Sequence, residues 1–565
     1  MKFFIVIILF ANIGFAQNLD SLFNAVVELN YVDPNVKHEG NHIYSSTDTK
    51  CGFSLIAEVK QNLDRFSIDQ QNIIKKILAR PESQKSIVSP SGFFRIHYDT
   101  TGITAPNYFP GAENNIQLSV DSLAIAFDSA YAYEINYLGY SSPPTDDELG
   151  GDNLFDIYVT SLGYYGVTEW QSNSNGENAS FIRVDNKMNF FTQGINAARA
   201  TAAHEFHHAV QVGSYTDYLD GNTFYFEITS TSMEEFVYPS VNDYFGYISG
   251  YFNNPDRRFT YFDGSGSGGG YDRAIWNIFL KEKFLQEEGE PLKGQNIIKR
   301  SWELMRNTNT SAMEAISLAL SENGLSLKNT FAEFAQWVYF TGYRKQEGKY
   351  FPEASEYPLI KHTATYDYSP PKKTYMMNSA PMSNHFLFFD LSSSGINDTL
   401  VIIFLNCDVV NSDIYPYDNL AYEYSLLTSG EDGSNEIVTG YYSNITSSNM
   451  EFLKETNIFN NVIVNGTPIS REEIDFAYPQ PFNQTKNSYV FFPTKSNSYG
   501  VAKLAIYSAS MDLVYNNELQ IYNSEKIVVR WDGKDNNGNK VASGIYIFIT
   551  DSDGEIIKGK VAIIN

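Results

Sequence analysis

The sequence predicts a multidomain protein in which an α+β unit is followed by β-sandwich domains. The pattern of strand-like and helix-like segments changes twice along the 565 residues, and these changes indicate this arrangement. Strand-like and then helix-like segments fill the middle of the chain, an order that is typical of an α+β domain. From about residue 365 onward, short β-like runs alternate with clusters of Ser, Gly, Asn and Asp, which favours sandwiches. At roughly 100–200 residues per domain, the length also indicates several domains.

The N-terminus has the pattern of a signal peptide over residues 1–16. A basic start, Met1-Lys2, is followed by an apolar run over 3–15 and by the small residue Ala16. This run is shorter than the roughly 20 residues that a membrane span needs, and no later segment is long and apolar enough. We therefore expect a secreted or cell-surface protein with no transmembrane segment beyond the signal peptide.

Residues 17–88 are predicted to form a pro-segment. They are polar, with helical stretches near 54–62 and 69–79. The helix breaker Arg80-Pro81 and the basic Lys85 then mark a place where a protease could cut the chain. An ordinary N-terminal subdomain is the alternative interpretation of this stretch.

The α+β unit is expected to span residues 89–350. An Ala-rich stretch at 195–212 is a strong helix candidate, and Gly213 could end that helix. Alternating apolar residues predict strands at 94–98, 155–159 and 180–184. Apolar residues at helical spacing predict helices at 117–137, 226–237, 271–286, 294–306, 311–323 and 329–341.

Two β-rich stretches follow the α+β unit. Residues 365–468 are predicted to form one β-sandwich domain. Residues 477–565 are also strand-rich and contain a turn-dense loop over 531–538, so they are expected to form a second sandwich.

Composition restricts the partners. The formal net charge of −26 repels phosphate backbones, so nucleic acid is excluded as an expected partner, and it also disfavours anionic membranes. The two cysteines, Cys51 and Cys407, do not make a disulfide scaffold. The domains must therefore be stabilised by their apolar cores, together with any bound metals.

An acidic loop allows for a structural Ca²⁺ in addition. Its carboxylates are the ligand type that Ca²⁺ prefers, but their spacing is not that of an EF-hand. A solvated loop is the alternative. The residues concerned are Asp146, Asp147, Asp152 and Asp156.

The most specific chemical signal is the sequence His204-Glu205-Phe206-His207-His208. On a helix, residues four apart lie on the same face, so His204 and His208 can bind one Zn²⁺. Glu205 lies beside them, where it can take a proton from a water that zinc activates. His207 is interpreted either as a residue that contacts a metal ligand and orients it, or as a residue packed in the interior. The motif predicts a zinc-dependent hydrolase.

A catalytic zinc needs a third protein ligand and an open position. Glu227, 19 residues after His208 on the next predicted helix, is the preferred candidate, with Glu234 orienting a ligand imidazole. Glu234 and Glu235 are the rival candidates for the third ligand.

Two further residues are assigned roles near the metal. Tyr271 follows the flexible run 264–270 and is a candidate for stabilising the oxyanion. Cys51 lies in the predicted pro-segment, and its thiolate could cap the zinc until the segment is removed. A buried small residue is the alternative interpretation of Cys51.

At these residues the chain resembles secreted bacterial gluzincin-like HExxH metallopeptidases. The resemblance covers about residues 50–345, and it implies that 89–350 is a zincin-like catalytic domain. The segment Glu227–Glu234 is similar to the family's E-G-T-A-x-W-M-E, from which Ile228 and Ser232 depart. The matching pieces are Ser89–Thr100, Phe155–Val159 and His204–Gln211.

The C-terminal part resembles the immunoglobulin-like, FlgD-like sorting domains of the type IX secretion system. The resemblance implies that residues 477–565 engage secretion machinery. Gln480 departs from the usual Y-P-N-P-F. The matching residues are Tyr478-Pro479-Gln480-Pro481-Phe482, Trp531-Asp532-Gly533 and Ala542-Ser543-Gly544-Ile545-Tyr546.

Three functions are weighed. The first is a secreted zinc endopeptidase acting on protein or peptide substrates. The second is a cell-surface adhesion or carbohydrate-binding protein with a vestigial peptidase site, an interpretation that the intact Glu205 disfavours. The third is a zinc hydrolase that acts on something other than peptides.

Overall fold

The chain is described by a computed structural model. It folds into two compact units, Met1–Ile248 with Thr260–Asn323, and Ser249–Phe259 with Gly324–Asn565. The predicted boundary at residue 350 therefore falls within the second unit. The described residues are 8–30, 50–217, 221–263, 270–308, 310–367, 382–390, 426–429, 435–438, 476–477, 479–485, 487, 489–494, 501–523, 527–552 and 554–564.

The first unit contains a five-stranded mixed sheet with the strand order β1-β2-β3-β5-β4. Strands β2, β3 and β5 are parallel, whereas β1 and β4 run antiparallel to their neighbours. The sequence did not predict β1 or β4, but the other three strands are confirmed. The strands are β1 (Lys85–Val88), β2 (Phe94–Tyr98), β3 (Phe155–Thr160), β4 (Gly166–Ser172) and β5 (Asn178–Asp185).

The predicted helices of this unit are confirmed to within a few residues. Helix α4 continues as a π-helical segment over Ala132–Tyr137, and α5 continues as another over Gln211–Tyr215. The helices are α1 (Ile8–Asn30), α2 (Phe53–Gln61), α3 (Ile68–Ile77), α4 (Asn115–Tyr131), α5 (Gly194–Val210), α6 (Thr223–Val237), α8 (Ile275–Glu288), α9 (Lys293–Thr308) and α10 (Ala312–Glu322); α7 and α11 belong to the second unit.

Gly213 does not end the helix, contrary to the prediction. The π-helical segment runs past it to Tyr215. A Cβ atom at residue 213 would lie 2.8 Å from Cδ of Pro144. Glycine is therefore required here for close approach of two backbone segments.

The predicted pro-segment folds as α1, α2 and α3 followed by β1. Part of the predicted signal peptide lies in α1, and Met1–Ile7 are outside the described residues. Ser67 and Gln70 form a reciprocal capping box at the start of α3. The three helices share an apolar core with the chain around β4, formed by Leu22, Ala25, Val26, Leu29, Leu55, Ile56, Val59, Phe66, Ile74, Ile77, Leu162, Tyr164 and Val167.

The second unit contains helices and several β-sheets. Its helices are α7 (Ser249–Asn253) and α11 (Leu327–Tyr339), and the rings of Tyr251 and Phe334 lie 5.6 Å apart. Most of the sandwich predicted at 365–468 lies outside the described residues. Within it, β6 (Ala364–Asp367) pairs in parallel with β7 (Leu387–Asp390), and β8 (Leu426–Ser429) pairs antiparallel with β9 (Asn435–Val438).

The C-terminal stretch forms two sheets, with strand orders β10-β17-β16-β12-β13 and β11-β15-β14. Phe482, Trp531 and Phe548 are buried in one apolar cluster that draws on both sheets, as expected for a sandwich. The strands are β10 (Phe482–Asn483), β11 (Val490–Pro493), β12 (Val501–Tyr507), β13 (Leu513–Gln520), β14 (Tyr522–Asn523), β15 (Ile527–Trp531), β16 (Gly544–Ser552) and β17 (Glu555–Ile564).

Among the residues that the structure describes, no helix combines the length and the apolar character that a bilayer crossing requires.

Candidate metal centre

Helix α5 presents two imidazoles to one point. Nε2 of His204 lies 3.2 Å from Nε2 of His208, as expected for residues one helical turn apart. Glu227 reaches the same point from α6, and its Oε2 lies 3.4 Å from Nε2 of His204 and 3.5 Å from Nε2 of His208. All three side chains are buried.

Cys51 completes the group. Its thiol is free and buried, and one ligand atom from each of Cys51, His204, His208 and Glu227 lies within 4.8 Å of the other three. Within the described ranges, no other group of three or more His, Cys, Asp or Glu side chains is arranged in this way. Glu234 and Glu235, the rival candidates for the third ligand, do not belong to this group.

The donor set and its spacing fit Zn²⁺. In a tetrahedral site with Zn–N bonds of about 2.0–2.1 Å, neighbouring ligand atoms lie about 3.3–3.4 Å apart. The three N and O atoms have nearly this spacing without an ion. Oε2 of Glu227 is buried and has no hydrogen-bond partner, which is costly unless a cation compensates it.

The charges of the cluster also favour a cation. Burial alone would raise the pKa of Glu227, but His208 and His204 outweigh it and lower this pKa to about 2. Burial likewise would lower the pKa of His204, yet the neighbouring carboxylates of Glu227 and Glu234 raise it to about 9. Burial, together with Glu205 and Glu227, raises the pKa of the Cys51 thiol. Without a metal, protons supply the positive charge that this site attracts, and metal binding would displace them.

The outer nitrogen of each imidazole has a hydrogen-bond acceptor. Nδ1 of His204 lies 2.7 Å from Oε1 of Glu234, and Nδ1 of His208 lies 2.7 Å from Oε1 of Gln211. The Gln211 amide is in turn fixed by a 2.6 Å hydrogen bond to Thr229. These contacts favour the tautomer with hydrogen on Nδ1, which directs both Nε2 lone pairs into the cluster.

Glu205 lies beside the cluster and is held by strand β4. The Thr168 hydroxyl donates to Oε2 of Glu205 at 2.8 Å and also contacts its backbone oxygen at 2.7 Å. A Cβ atom on Gly166 would lie 2.9 Å from Cγ of Glu205 and 2.8 Å from Thr201. Glycine at this position therefore lets β4 approach α5 closely enough to orient the Glu205 carboxylate.

Tyr271 is buried next to the cluster. Its ring centre lies 6.0 Å from that of His204, on a short 3-10 helix that begins directly after Gly270. Gly270 has φ of 95°, and a Cβ there would lie 2.7 Å from the backbone oxygen of Phe224. The glycine thus permits the turn that brings the tyrosine beside the cluster.

His207 does not belong to the cluster. Its Nδ1 lies 2.7 Å from Oε2 of Glu134, and its ring packs edge-on against Tyr140. Burial lowers the pKa of His207 and raises that of Glu134, so the pair is held without a net charge. Of the two interpretations made from the sequence, the packed one describes this histidine.

Residues 50–54, here called the N-terminal strap, cross the cluster along strand β4. The Gly52 amide donates to the backbone oxygen of Gly166 at 3.0 Å, and the Tyr165 amide donates to that of Lys50 at 3.0 Å. Cys51 and Gly166 form a parallel β-bridge. Lys50–Gly52 therefore add to this edge of the sheet through a single bridge, and Phe53 and Ser54 form the start of α2.

Side chains of the strap contact the ligands directly. The Phe53 ring stacks on the imidazole of His208 with centres 4.0 Å apart, and the Ser54 hydroxyl donates to Oε1 of Glu227 at 2.6 Å. The Lys50 ammonium is buried in ion pairs with Glu234, at 2.7 Å, and with Asp243. Sequence reasoning missed Lys50, Ser54 and Asp243, because each contact joins residues more than 170 positions apart.

The aspartates of the acidic loop have other partners. Asp146 and Asp156 both pair with Arg80, Asp152 pairs with Arg95, and Asp147 accepts from Ser174. They are not gathered at one point, and calcium binding stays a prediction from the sequence.

No protein-family model matches the chain, and no curated protein matches it. Solved structures give partial matches, among them two proteins of Porphyromonas gingivalis. Dimeric latent PorU is 19% identical over 16% of this chain and 9% of that chain, with a TM-score of 0.13. PorZ, described as an essential surface component of the type-IX secretion system, is 16% identical over 25% of this chain and 22% of that chain, also with a TM-score of 0.13.

Proposed function

We propose that this chain is a secreted zinc-dependent endopeptidase. The observation that carries the proposal is the convergence of His204, His208 and Glu227 on one point, with Glu205 adjacent. This is the ligand number and type of a catalytic zinc site. Zinc bound there would act as a Lewis acid toward the scissile carbonyl and would lower the pKa of water.

Residues of the chain would carry out the proton transfers of the reaction. Glu205, oriented by Thr168, takes a proton from the attacking water as that water's oxygen bonds to the carbonyl carbon. It then gives the proton to the amide nitrogen as the C–N bond breaks, which yields a carboxylic acid and an amine. The phenol of Tyr271, beside His204, is suited to donate a hydrogen bond to the carbonyl oxygen as negative charge develops on it.

Export is part of the proposal and rests on the sequence. The apolar N-terminus over residues 1–16 has the pattern of a signal peptide. The C-terminal sandwich carries the residues that resemble a type IX sorting domain. Removing 477–565 should retain the protein inside the producing cell, which fractionation of cells and medium would measure.

The test of the catalytic proposal compares matured wild type with Glu205→Gln. We expect both proteins to hold one zinc, and we expect Glu205→Gln to lose casein cleavage by about 10²–10⁴-fold, the usual contribution of a general base. Glu303→Gln is a matched control, because Glu303 lies on α9 and pairs with Arg300 on the surface. It should cleave like wild type.

The same experiment separates the other functions. A wild-type protein that binds no zinc, or that binds zinc and cleaves nothing in a broad peptide library, contradicts the proposal. Cleavage of esters or other non-peptide substrates alone would identify a zinc hydrolase of another class. Binding to glycans or surfaces without cleavage would favour the adhesion function.

A further inference from the structure

We propose that the N-terminal strap, residues 50–54, is a built-in inhibitor that keeps the enzyme latent, with the Cys51 thiolate as the fourth metal ligand. The inference rests on the proposed function and concerns its regulation. A catalytic zinc keeps one position open, whereas a site with four protein ligands is closed. Cys51, His204, His208 and Glu227 together make the closed set.

The donor chemistry supports a metal–sulfur bond. Thiolate is a strong zinc ligand, and the thiol proton is released when the metal binds. Cys51 is 3% exposed, so no water competes for its place from outside. Gly52 lets the strap pack closely against Tyr164, since a Cβ atom there would lie 2.7 Å from the ring of Tyr164.

The strap also occupies the place of a peptide substrate. Lys50–Gly52 pair with Gly166, the first residue of β4, and with Tyr165 before it through two backbone hydrogen bonds, and extended peptides commonly bind to a sheet edge through such bonds. Phe53 covers His208, and Ser54 engages the second carboxylate oxygen of Glu227. While the strap is bound, a substrate can reach neither the metal position nor this edge.

The strap is anchored at both ends. Upstream, the buried ammonium of Lys50 forms ion pairs with Glu234 and Asp243. Downstream, Phe53 and Ser54 are the first residues of α2, whose residues Leu55, Ile56 and Val59 belong to the core shared with α1 and α3. Spontaneous release would expose this apolar core and two buried carboxylates, so the latent state should be stable.

Release requires a cut in the chain. Between Arg80 and β1, residues 81–84 form neither helix nor strand, and Glu82 and Gln84 are exposed. A cut there separates α1, α2, α3 and the strap from the rest of the chain, whereas Arg80 itself is tied to Asp146 and Asp156. Loss of the strap then opens the fourth position of the metal to water.

The test uses the full-length chain with Cys407→Ser, so that Cys51 is its only thiol. The protein is loaded with Co²⁺ in place of zinc, and the near-ultraviolet band of a thiolate–cobalt bond is recorded. We expect this band in the parent and its absence in Cys51→Ala. With zinc bound, labelling of Cys51 by a thiol reagent should be at least about tenfold slower than after chelation, because the metal holds the thiolate.

Activity provides the second readout. The Cys51→Ala precursor should cleave casein at least about tenfold faster than the uncut parent, because loss of the metal–sulfur bond frees the fourth metal position and weakens the hold on the strap, so that a substrate can displace it. Cys51→Ser provides a second variant of similar size if Cys51→Ala fails to fold, and it too should lack the cobalt–thiolate band.

The outcomes are distinguishable. Absence of the cobalt–thiolate band in the parent, or an uncut parent that cleaves as fast as the matured enzyme, overturns the latency proposal and leaves the peptidase proposal intact. A clear band combined with no cleavage by the matured enzyme supports Cys51 as a ligand and overturns the peptidase function instead.

Discussion

The Lys50 ammonium lies 2.7 Å from Oε2 of Glu234, and the other oxygen of that carboxylate lies 2.7 Å from Nδ1 of His204. One buried glutamate therefore links the N-terminal strap to a metal ligand. While the strap is bound, Glu234 shares its charge between a lysine and an imidazole. In the proposed latent form the strap contributes both a ligand, through Cys51, and part of the electrostatic surroundings of the site.

Replacing Lys50 by Met should weaken latency. Met preserves much of the packing, but it leaves Glu234 and Asp243 buried without their cation, and removing one partner of a buried ion pair costs about 3–5 kcal/mol. We expect Lys50→Met precursor to show measurable casein cleavage and faster thiol labelling of Cys51 than the parent. Lys76→Met, on the exposed face of α3, is the matched control and should stay latent. Unchanged labelling of Lys50→Met would show that the ion pair does not hold the strap.

Replacing Gln211 by Ala should weaken zinc binding without touching a ligand. His208 would lose the acceptor that fixes its Nδ1 hydrogen and keep only the Ser230 hydroxyl, at 3.1 Å. Loss of such a partner typically lowers metal affinity about 10–100-fold. Competition with a chelator measures the affinity, and Gln117→Ala, on the exposed face of α4, should be unaffected. An unchanged affinity would mean that Ser230 suffices to orient the ring.

The metal-free protein should be most stable in mildly acidic solution. The pKa of His204 is about 9 in the folded chain against 6.5 ordinarily, so its stabilising effect is complete below pH 6.5 and is lost as pH rises through 9. The pKa of Glu227 is about 2 against 4.5, so its effect is present above pH 4.5 and is lost as pH falls through 2.

Denaturant unfolding between pH 6 and 10, after a chelator has removed any metal, tests the part of this prediction that concerns His204. The free energy of unfolding should fall across the interval in wild type. In His204→Gln the fall should be smaller, because the titrating group is gone. Zinc should also flatten the curve, since the bound metal requires a neutral imidazole throughout. An equal slope in wild type and His204→Gln would contradict the assignment.

Sequence reasoning succeeded where the signal is local. The Ala-rich composition of 195–212 located α5, and the His204-Glu205…His208 pattern placed two imidazoles on one face of it. Strand β4 was not predicted because a glutamate, here Glu169, is typical of an exposed position. In the fold Glu169 is buried and pairs with Arg183 at 2.6 Å. The contacts of Lys50 and Ser54 are equally invisible in the sequence, because they depend on how distant segments meet in three dimensions.

Departure of the strap should leave a pocket that selects a basic side chain. The Lys50 ammonium lies beside Asp243 and Glu234 and within 4.5 Å of the Tyr247 ring centre and 5.5 Å of that of Tyr165. Carboxylates and aromatic faces both attract cations. After maturation the two carboxylates and the two rings would face the cleft without Lys50. A substrate Lys or Arg would then form the same ion pairs in its place.

We therefore expect the matured enzyme to prefer peptides with Lys or Arg at one fixed position from the scissile bond. Cleavage-site mapping on a peptide library measures this preference. Asp243→Asn should reduce it by about tenfold or more, because a charge-assisted contact contributes about 1.5–3 kcal/mol, while peptides without a basic residue should be cleaved as before. Glu234 is unsuitable for this test because it also orients His204. Cleavage with no basic preference in wild type would show that the Lys50 pocket closes when the strap leaves.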